Sequence, residues 1–482
     1  MTLSTDRQIN TLFDTVIDGD YCSGCGACAA VASDALTMSF DAYGRLQPQV
    51  KSATVASNAD VLAVCPFADG NPNEDRLGSE LFASDGTYHD RIGYYHATYA
   101  GYVTEPDFRD RGSSGGMGTW IVQELFNRGL VDRVIHVKQH QPNEGDASLF
   151  RFEISDSTPE IRRGAKSRYY PVEMSQVIQE VKQQPGRYAI VGVPCFIKAI
   201  RLLAKQDPVI KERLRFGVGL VCGHLKTSHF ADMFAWQSGI EPGNLTSIDF
   251  RKKIPGQNAN QYGVETIGNS QGKTISAIKS NYELYGYLWG HGFFKYQACD
   301  YCDDVVAETA DVTVGDAWLP QYVEDSQGTN VVVVRNPIIQ ELITAGMASG
   351  RIHLDTISAD DVARSQDAGL RHRREGLSYR LHLKDLAGDW RPQKRVQAQA
   401  SHLNRKWQQI HQMRVKMANQ SHTAFLQAIN AQDFEVFRNL MQPLVETYHQ
   451  LYQAPLWKRL AVKIKKAILA LMAMVKPKTH SK

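Results

Sequence analysis

"RYAIVGVPCFIKAIRLL", residues 187–203, reads as a short apolar strand, a proline turn and a helix, with Cys195 at the turn before the helix. A second strand ends in the same way in "FGVGLVCGH", where Cys222 follows the apolar run. Strand–helix units of this kind recur around residues 190–203 and 218–236. Upstream, "YYHATYAGYV" from residue 94 reads as a strand, and "DFRDRGSSGGMGTWIVQELFNRGLVDRVIHV" follows as loop, helix and strand. Met117, Ile121, Leu125 and Phe126 share one face of that helix, and Gly129 is a suitable stop. "DVTVGD" and the nearly continuous apolar "NVVVVRN" read as later, buried strands. Strands alternating with helices predict an α/β (α+β) fold around a mostly parallel or mixed sheet.

Length and composition set the frame. The 482 residues are enough for more than one core, so two or three domains are expected. Hydrophobic residues at 43% and charged residues at 22% are ordinary for a globular protein, and a net charge of +3 gives no reason to expect nucleic acid as a partner. The first twenty residues lack a basic region followed by an apolar one, so no secretory signal is expected, and no apolar run is long enough to span a membrane. The expected location is the cytoplasm. Eight cysteines without an export signal point to thiols that bind metal, not to disulfides.

Those cysteines fall into two sets of four. "YCSGCGACAAVAS", residues 21–33, places Cys22, Cys25 and Cys28 at the steps of a bacterial ferredoxin run, but Ala32 and Ser33 stand where its last cysteine and proline belong. "VLAVCPFA" supplies the missing pair downstream as Cys65–Pro66, across an insertion from residue 29 to 64. Zinc is the chemical competitor, yet structural zinc usually pairs two knuckles, and three cysteines closed by Cys-Pro fit an iron–sulfur cube better. Haem attachment is excluded, because none of the Cys-x-x-Cys pairs is followed by histidine. The second set joins Cys195 and Cys222 to Cys299 and Cys302 of "ACDYCDD". Strand ends converge at the carboxyl edge of an α/β sheet, where sites are built. Free cysteines are equally common as small buried hydrophobes. Spacing alone leaves both readings open.

"RGSSGGMGTW", residues 111–120, joins strand to helix. Its glycines let a ligand approach the backbone; Ser113, Ser114 and Thr119 add donors, and Arg111 adds charge. It is neither a dinucleotide fingerprint nor a P-loop. Beside electron-carrying clusters, a flavin is the sensible tenant, since it converts single electrons into pairs. After about residue 363 the chain turns helical, basic and glutamine-rich. Residues 455–477 combine apolar residues at helical spacing with Lys458, Arg459, Lys463, Lys465 and Lys466 after Trp457, the pattern of a helix lying on an anionic membrane or capping a core; core packing is the commoner use.

As a set, "CSGCGAC" with its distant "CP", "RGSSGG", "RGAKSRYY", "GVPCFIKAIR", "CGH", "CDYCDDVVAETADVTVGDAW" and "TNVVVVRN" resemble the beta subunit of coenzyme F-420 hydrogenases and dehydrogenases, over residues 20–336. That group includes chlorophyll-cycle reductases such as hydroxymethyl chlorophyll a reductase. The resemblance implies FAD, two 4Fe-4S clusters and electron exchange between ferredoxin-like carriers and an organic substrate. It implies that Cys195, Cys222, Cys299 and Cys302 hold the second cluster. Carried over by position, Ser113, Ser114, Gly115 and Gly116 would line the flavin, and Lys166, Ser167 and Tyr169 would sit near flavin or substrate. His224 and Lys166 are the candidate proton donors, although a lone histidine is more often structural. Asp316 in "VGDAW" is either a strand-end site residue or a turn former. The basic C-terminal region departs from the archaeal subunits and is similar to versions associated with surface polysaccharides, which weakens the deazaflavin itself as substrate.

The expected organisation is a ferredoxin-like cluster domain over residues 1–90, a mixed-sheet flavin and second-cluster domain over 91–362, and a basic helical region over 363–482. The expected function is a cytoplasmic iron–sulfur flavoprotein oxidoreductase, with a non-catalytic electron-transfer subunit of a larger reductase as the alternative. A zinc-stabilised interaction protein is a third class. The sequence leaves the substrate, the direction of electron flow and the oligomeric state open.

Overall fold

A computed structural model of the chain describes residues 5–51, 59–141 and 148–453. The basic stretch 455–477 lies outside the described residues, and with it the membrane-helix expectation. Among the described residues no helix is long and apolar enough to cross a membrane.

The architecture is organised by eight strands in one mixed sheet. Their order is Ile352–Thr356, Ala97–Val103, Asn330–Val334, Val312–Asp316, Leu214–Leu220, Tyr188–Gly192, Arg133–Gln139, Phe150–Ser155. Asn330–Val334 is buried throughout, the pattern of a strand covered on both faces. The four strands starting at Arg133, Tyr188, Leu214 and Val312 run parallel, and antiparallel strands flank them. The carboxyl ends of Tyr188–Gly192, Leu214–Leu220 and Val312–Asp316 therefore point the same way, towards Cys195, Cys222 and Asp316. Strand Asn330–Val334 begins at that edge, because Asn330 pairs with Asp316.

Local sequence accounts for the connecting helices. Met117–Asn127 buries Met117, Trp120, Ile121 and Leu125, and Gly129 ends it at φ 65°. Pro194–Gln206 starts with proline at its first turn, where the missing N–H costs nothing, and buries Phe196, Ile197, Ile200 and Leu203. Cys195 thus lies inside the first turn of the helix, one step later than the turn expected from sequence. The stretch from residue 94 divides in two. Gly93–Tyr95 forms a hairpin with Thr87–His89, whereas Ala97–Val103 joins the large sheet.

Two further layers enclose the carboxyl edge. On one side the cysteine loop leads into the hairpin Leu36–Phe40 and Leu46–Val50. On the other, a three-stranded antiparallel sheet, Leu245–Lys252, Gly263–Ser270 and Lys273–Ser280, shares a core with the helices Arg405–Ala431 and Phe434–Tyr452. Phe250, Phe293, Phe294, Phe425 and Phe437 are buried together there. Truncating one such phenylalanine to alanine costs about 3–5 kcal/mol.

Candidate functional site

The first cysteine set is built by a tight loop. Gly24 and Gly26 adopt φ of 71° and 79°, which turns the chain so that Cys22, Cys25 and Cys28 can face one space. A Cβ on Gly24 would meet the Leu46 carbonyl oxygen at 2.7 Å, so the loop also requires glycine for close packing. Cys65 joins from a turn whose carbonyl is held by Asn71, with Nδ2 donating to Cys65 O and Leu62 O at 2.8 Å each. Burial first, and then mutual repulsion, raises the thiols of Cys22, Cys25 and Cys28; each of these three feels Cys65, and Cys25 is pushed up to about 12. Backbone N–H groups soften this: Gly24 donates to Cys22 Sγ at 3.3 Å, and the amides of Ala27, Ala29, Phe67 and Ala68 serve the other sulfurs.

The second set draws on three separated segments. Cys195 interacts with Cys302, Cys222 and Cys299, and also with Cys25 of the first set. Burial pushes Cys222 up to about 11 and Cys299 up to about 12. Arg373, 1% exposed, reaches into this group. Its Nη2 lies 3.7 Å from Cys222 Sγ and donates to Gly223 O at 2.8 Å and Cys222 O at 3.3 Å, while Nη1 donates to Asp304 O at 3.0 Å. Buried ion pairs surround the set, Asp300 with Lys295 at 2.6 Å and Glu308 with Arg395 and Arg374 at 2.5 and 3.0 Å, while His372, which burial keeps neutral, hydrogen-bonds Asp300 at 2.9 Å.

All eight cysteines are free. No three His, Cys, Asp or Glu side chains among the described residues are placed to hold a single metal ion. Within each set the thiols act on one another electrostatically. A zinc ion needs its four sulfurs about 2.3 Å from one centre, whereas a cube takes each thiolate on a different iron. Buried thiols that raise one another's pKa are what a cationic iron core would relieve. The donor sets fit the cubes.

A cavity of about 1020 Å³ opens beside both sets, touching Ser23 of the first loop and Cys222 of the second set. That is at the upper end of ordinary ligand pockets and suits a dinucleotide-sized cofactor. Ser113, Ser114, Gly116 and Thr119 form one wall, and Lys166, Ser167 and Tyr169 form another. The walls are tied together, since Ser167 N–H donates to Ser113 Oγ at 2.8 Å. Lys166 holds φ 118°, a region costly for a residue with a side chain, and its Nζ lies 3.0 Å from Asp249 Oδ2.

Arg251 closes the base of the cavity. Its guanidinium is paired twice with Asp316, at 2.9 and 3.2 Å, and donates to Tyr169 Oη and Ser113 O at 3.3 Å each. Burial pushes Tyr169 up to about 12. His224 packs against Trp289 with centroids 4.4 Å apart and the ring planes tilted by 56°, and burial holds its pKa well below the ordinary value, so the ring is neutral. His224 Nε2, Arg251 Nε and Asn281 Oδ1 line the cavity, buried and without partners among the described residues. Unsatisfied polar atoms around a large void fit a polar cofactor.

Two sequence expectations are corrected. Arg111 ends the short helix Phe108–Arg111, is exposed and does not line the cavity, whereas the buried Arg251 does. Gly115 faces protein, since a Cβ would strike Gly101 O at 2.7 Å and Asn330 Oδ1 at 2.9 Å. The sequence reading missed Arg251 because a β-bulge between Asp249 and Lys252 buries the neighbours Phe250 and Arg251 together, so no alternation marks the inward position. It missed Arg373 because "RHRRE" reads as a solvated basic run.

Comparison with known proteins adds a family. The N-terminal and C-terminal portions of the family described as "Coenzyme F420 hydrogenase/dehydrogenase, beta subunit" match residues 98–179 and 186–360 respectively, more than half of the chain. The chain is 26% identical over 215 residues to a subunit of the F(420)H(2) dehydrogenase of Methanosarcina mazei, covering 43% of this chain and 54% of that protein. It is 21% identical over 361 residues to the coenzyme F420-dependent sulfite reductase of Methanocaldococcus jannaschii, covering 71% and 48%. The chain thus spans about half the length of these relatives. A chain of the F420-reducing nickel–iron hydrogenase complex of Methanosarcina barkeri aligns at TM-score 0.45 and 15% identity, over 60% of this chain and 92% of its own.

Proposed function

The chain belongs to the coenzyme F420 hydrogenase/dehydrogenase beta-subunit family, and from that premise we propose that it is an iron–sulfur flavoprotein oxidoreductase. The two cysteine sets would hold 4Fe-4S clusters and the cavity would hold FAD, groups that would let electrons from a ferredoxin-like donor reach an organic substrate. The observation that carries this reading is the single cavity bounded by Ser23, Cys222 and the glycine loop. It places Cys222 of the second set, and Ser23 beside Cys22 of the first, against one large void.

Each residue then has a defined task. Three of the four first-set cysteines are partly exposed, so the donor docks there, whereas Cys222, Cys299 and Cys302 are buried. The glycine-loop amides and Ser113 bind the cofactor's phosphates. Arg251, fixed by Asp316, holds the negative end of the cofactor or substrate. FAD, when bound, supplies the conversion from single electrons to a hydride. Lys166, oriented by Asp249, delivers the proton from Nζ, and neutral His224 orients substrate through Nε2.

Anaerobic purification tests the reading. About eight irons per chain, on four per cube, together with releasable FAD is the expected result. Zinc in place of iron, or absence of flavin, would refute it. An electron-transfer subunit serving a separate enzyme is favoured by one similar protein being named a dehydrogenase subunit. Turnover of substrate by the reduced chain alone separates the two. A role in surface polysaccharide synthesis would require that substrate to be a sugar derivative.

A further inference from the structure

We propose that Arg373 is a positioning residue that sets the potential of the second cluster above that of the first, so that electrons arriving near the surface run inward to the cavity. The inference rests on the two-cluster reading of the cysteine sets.

The two sets differ in how cations reach them. At the second set, Arg373 is 1% exposed and its Nη2 lies 3.7 Å from Cys222 Sγ. All four sulfurs of that set are the principal charges acting on Arg373. Its bonds go to the carbonyls of Cys222, Gly223 and Asp304 and to Cys222 Sγ. Among the described residues none of its hydrogen-bonding partners is a carboxylate, so no ion pair through those bonds offsets its charge beside Cys222.

The first set has no counterpart among the described residues. Arg45, which acts on Cys22, is shared with Asp20 at 2.6 Å and Asp41 at 2.7 Å. Lys198, which acts on Cys65, is paired with Glu74 at 3.2 Å. Glu173 opposes at Cys25. Lys394 acts on Cys65 and Cys302 alike and so does not discriminate. Asp303 and Asp304 oppose Arg373 at Cys302, but Asp303 lies 3.5 Å from Arg395.

Reduction adds one negative charge to a cluster, so a buried, unshared cation stabilises the reduced form and raises the potential. In the step concerned, one electron leaves the first cluster and enters the second, with no bond made or broken; the ferredoxin-like donor supplies it. Arg373 lies beyond residue 360, outside the segments that match the family. The device is therefore built by this chain's own helical region.

The test is a redox titration of the full-length holoprotein followed by electron paramagnetic resonance. The first cluster's signal is assigned by its loss in Cys65→Ala. In the unmodified protein the second cluster should have the more positive midpoint. Arg373→Gln should shift the equilibrium between the clusters at least tenfold towards the first, about 59 mV for one electron, leaving the first midpoint unchanged. Arg373→Lys keeps the charge without the fork, so a smaller shift of the same sign is expected, and this variant decides the matter if the glutamine protein does not fold. An unmoved second midpoint with about eight irons retained overturns the inference, as does a more positive first cluster in the unmodified protein. About four irons in the unmodified protein would instead overturn the two-cluster reading itself, which the iron count distinguishes.

Discussion

The two cysteine sets solve the same chemical problem by different means. The first takes three ligands from seven consecutive residues, turned by two glycines with positive φ, and adds Cys65 through a short hydrogen-bonded turn. The second gathers the first turn of a helix, the end of a strand and a 3-10 segment, brought together by sheet topology and covered by the helices Asp367–Arg373 and Glu375–Ala387. One is local and near the surface. The other is non-local, buried and ringed by ion pairs. A local site is held by backbone geometry, whereas a distant one depends on the whole fold, and its buried charges make it sensitive to loss of any partner.

Removing one ligand from each set is the strongest way to break the comparison. Cys65→Ala and Cys302→Ala should each leave about half the iron of the unmodified chain, on four per cube. Their effects on stability should differ. Cys302→Ala takes a countercharge from Arg373 in the interior, a loss on the order of 3 kcal/mol, whereas Cys65 lies near the surface. Anaerobic denaturant unfolding measures both. Equal destabilisation would show that the contrast in embedding has no energetic content.

Acid should separate the two regions further. His411 and His422 lie on Arg405–Ala431, the helix packed over the second region. Burial, aided for His411 by the Arg380 and Arg414 charges, lowers them to about 3 and about 4. Both are neutral when folded and take up a proton on unfolding below their ordinary value of about 6.5. Their contribution is complete above about pH 6.5 and is lost as pH falls towards 4, and for His411 towards 3. At about 1.4 kcal/mol for each unit of separation, the combined loss reaches several kcal/mol. Hydrogen exchange at pH 8 and pH 5 should show Arg405–Ala431 losing protection while the first cysteine loop keeps it.

The same contrast governs how much the sequence could tell. The first set was legible because its ligands are adjacent and Cys65–Pro66 completes a known run. The parallel core was legible because runs such as Asn330–Val334 are apolar throughout. From spacing alone the second set showed only as four leftover cysteines, and it was the family resemblance that grouped them, since strand order, not spacing, brings Cys195 within electrostatic reach of Cys302. Arg251 and Arg373 were invisible for a related reason: a bulge hides the first, and only tertiary burial distinguishes the second from its basic neighbours.

Arg251→Lys tests whether the cavity can be damaged without touching either cysteine set. Lysine keeps the charge but cannot make the paired contact with Asp316 at 2.9 and 3.2 Å, nor reach Tyr169 and Ser113 together. Loss of one charge-assisted hydrogen bond is worth about 1.5–3 kcal/mol. Flavin should therefore dissociate at least tenfold more readily, read by fluorescence of released cofactor, while iron stays at about eight. Iron lost together with flavin would mean that the cavity and the clusters are one cooperative unit.

The smallest effect is expected at Asn71. Its side-chain amide donates to Cys65 O and Leu62 O at 2.8 Å and holds the turn that carries the fourth ligand of the first set. Asn71→Ala removes two hydrogen bonds worth about 0.5–1.5 kcal/mol each, from a partly buried position where water can replace part of the loss. The cluster should still assemble, because the Cys22–Cys28 loop and the amides of Phe67 and Ala68 remain. A chelator should then strip iron from the first set several-fold faster than in the unmodified chain, with the second set unchanged. A matching acceleration at the second set would mean that the two are mechanically coupled through the core cluster that includes Cys25 and packs against Cys195, and that the surface site is less local than its backbone suggests.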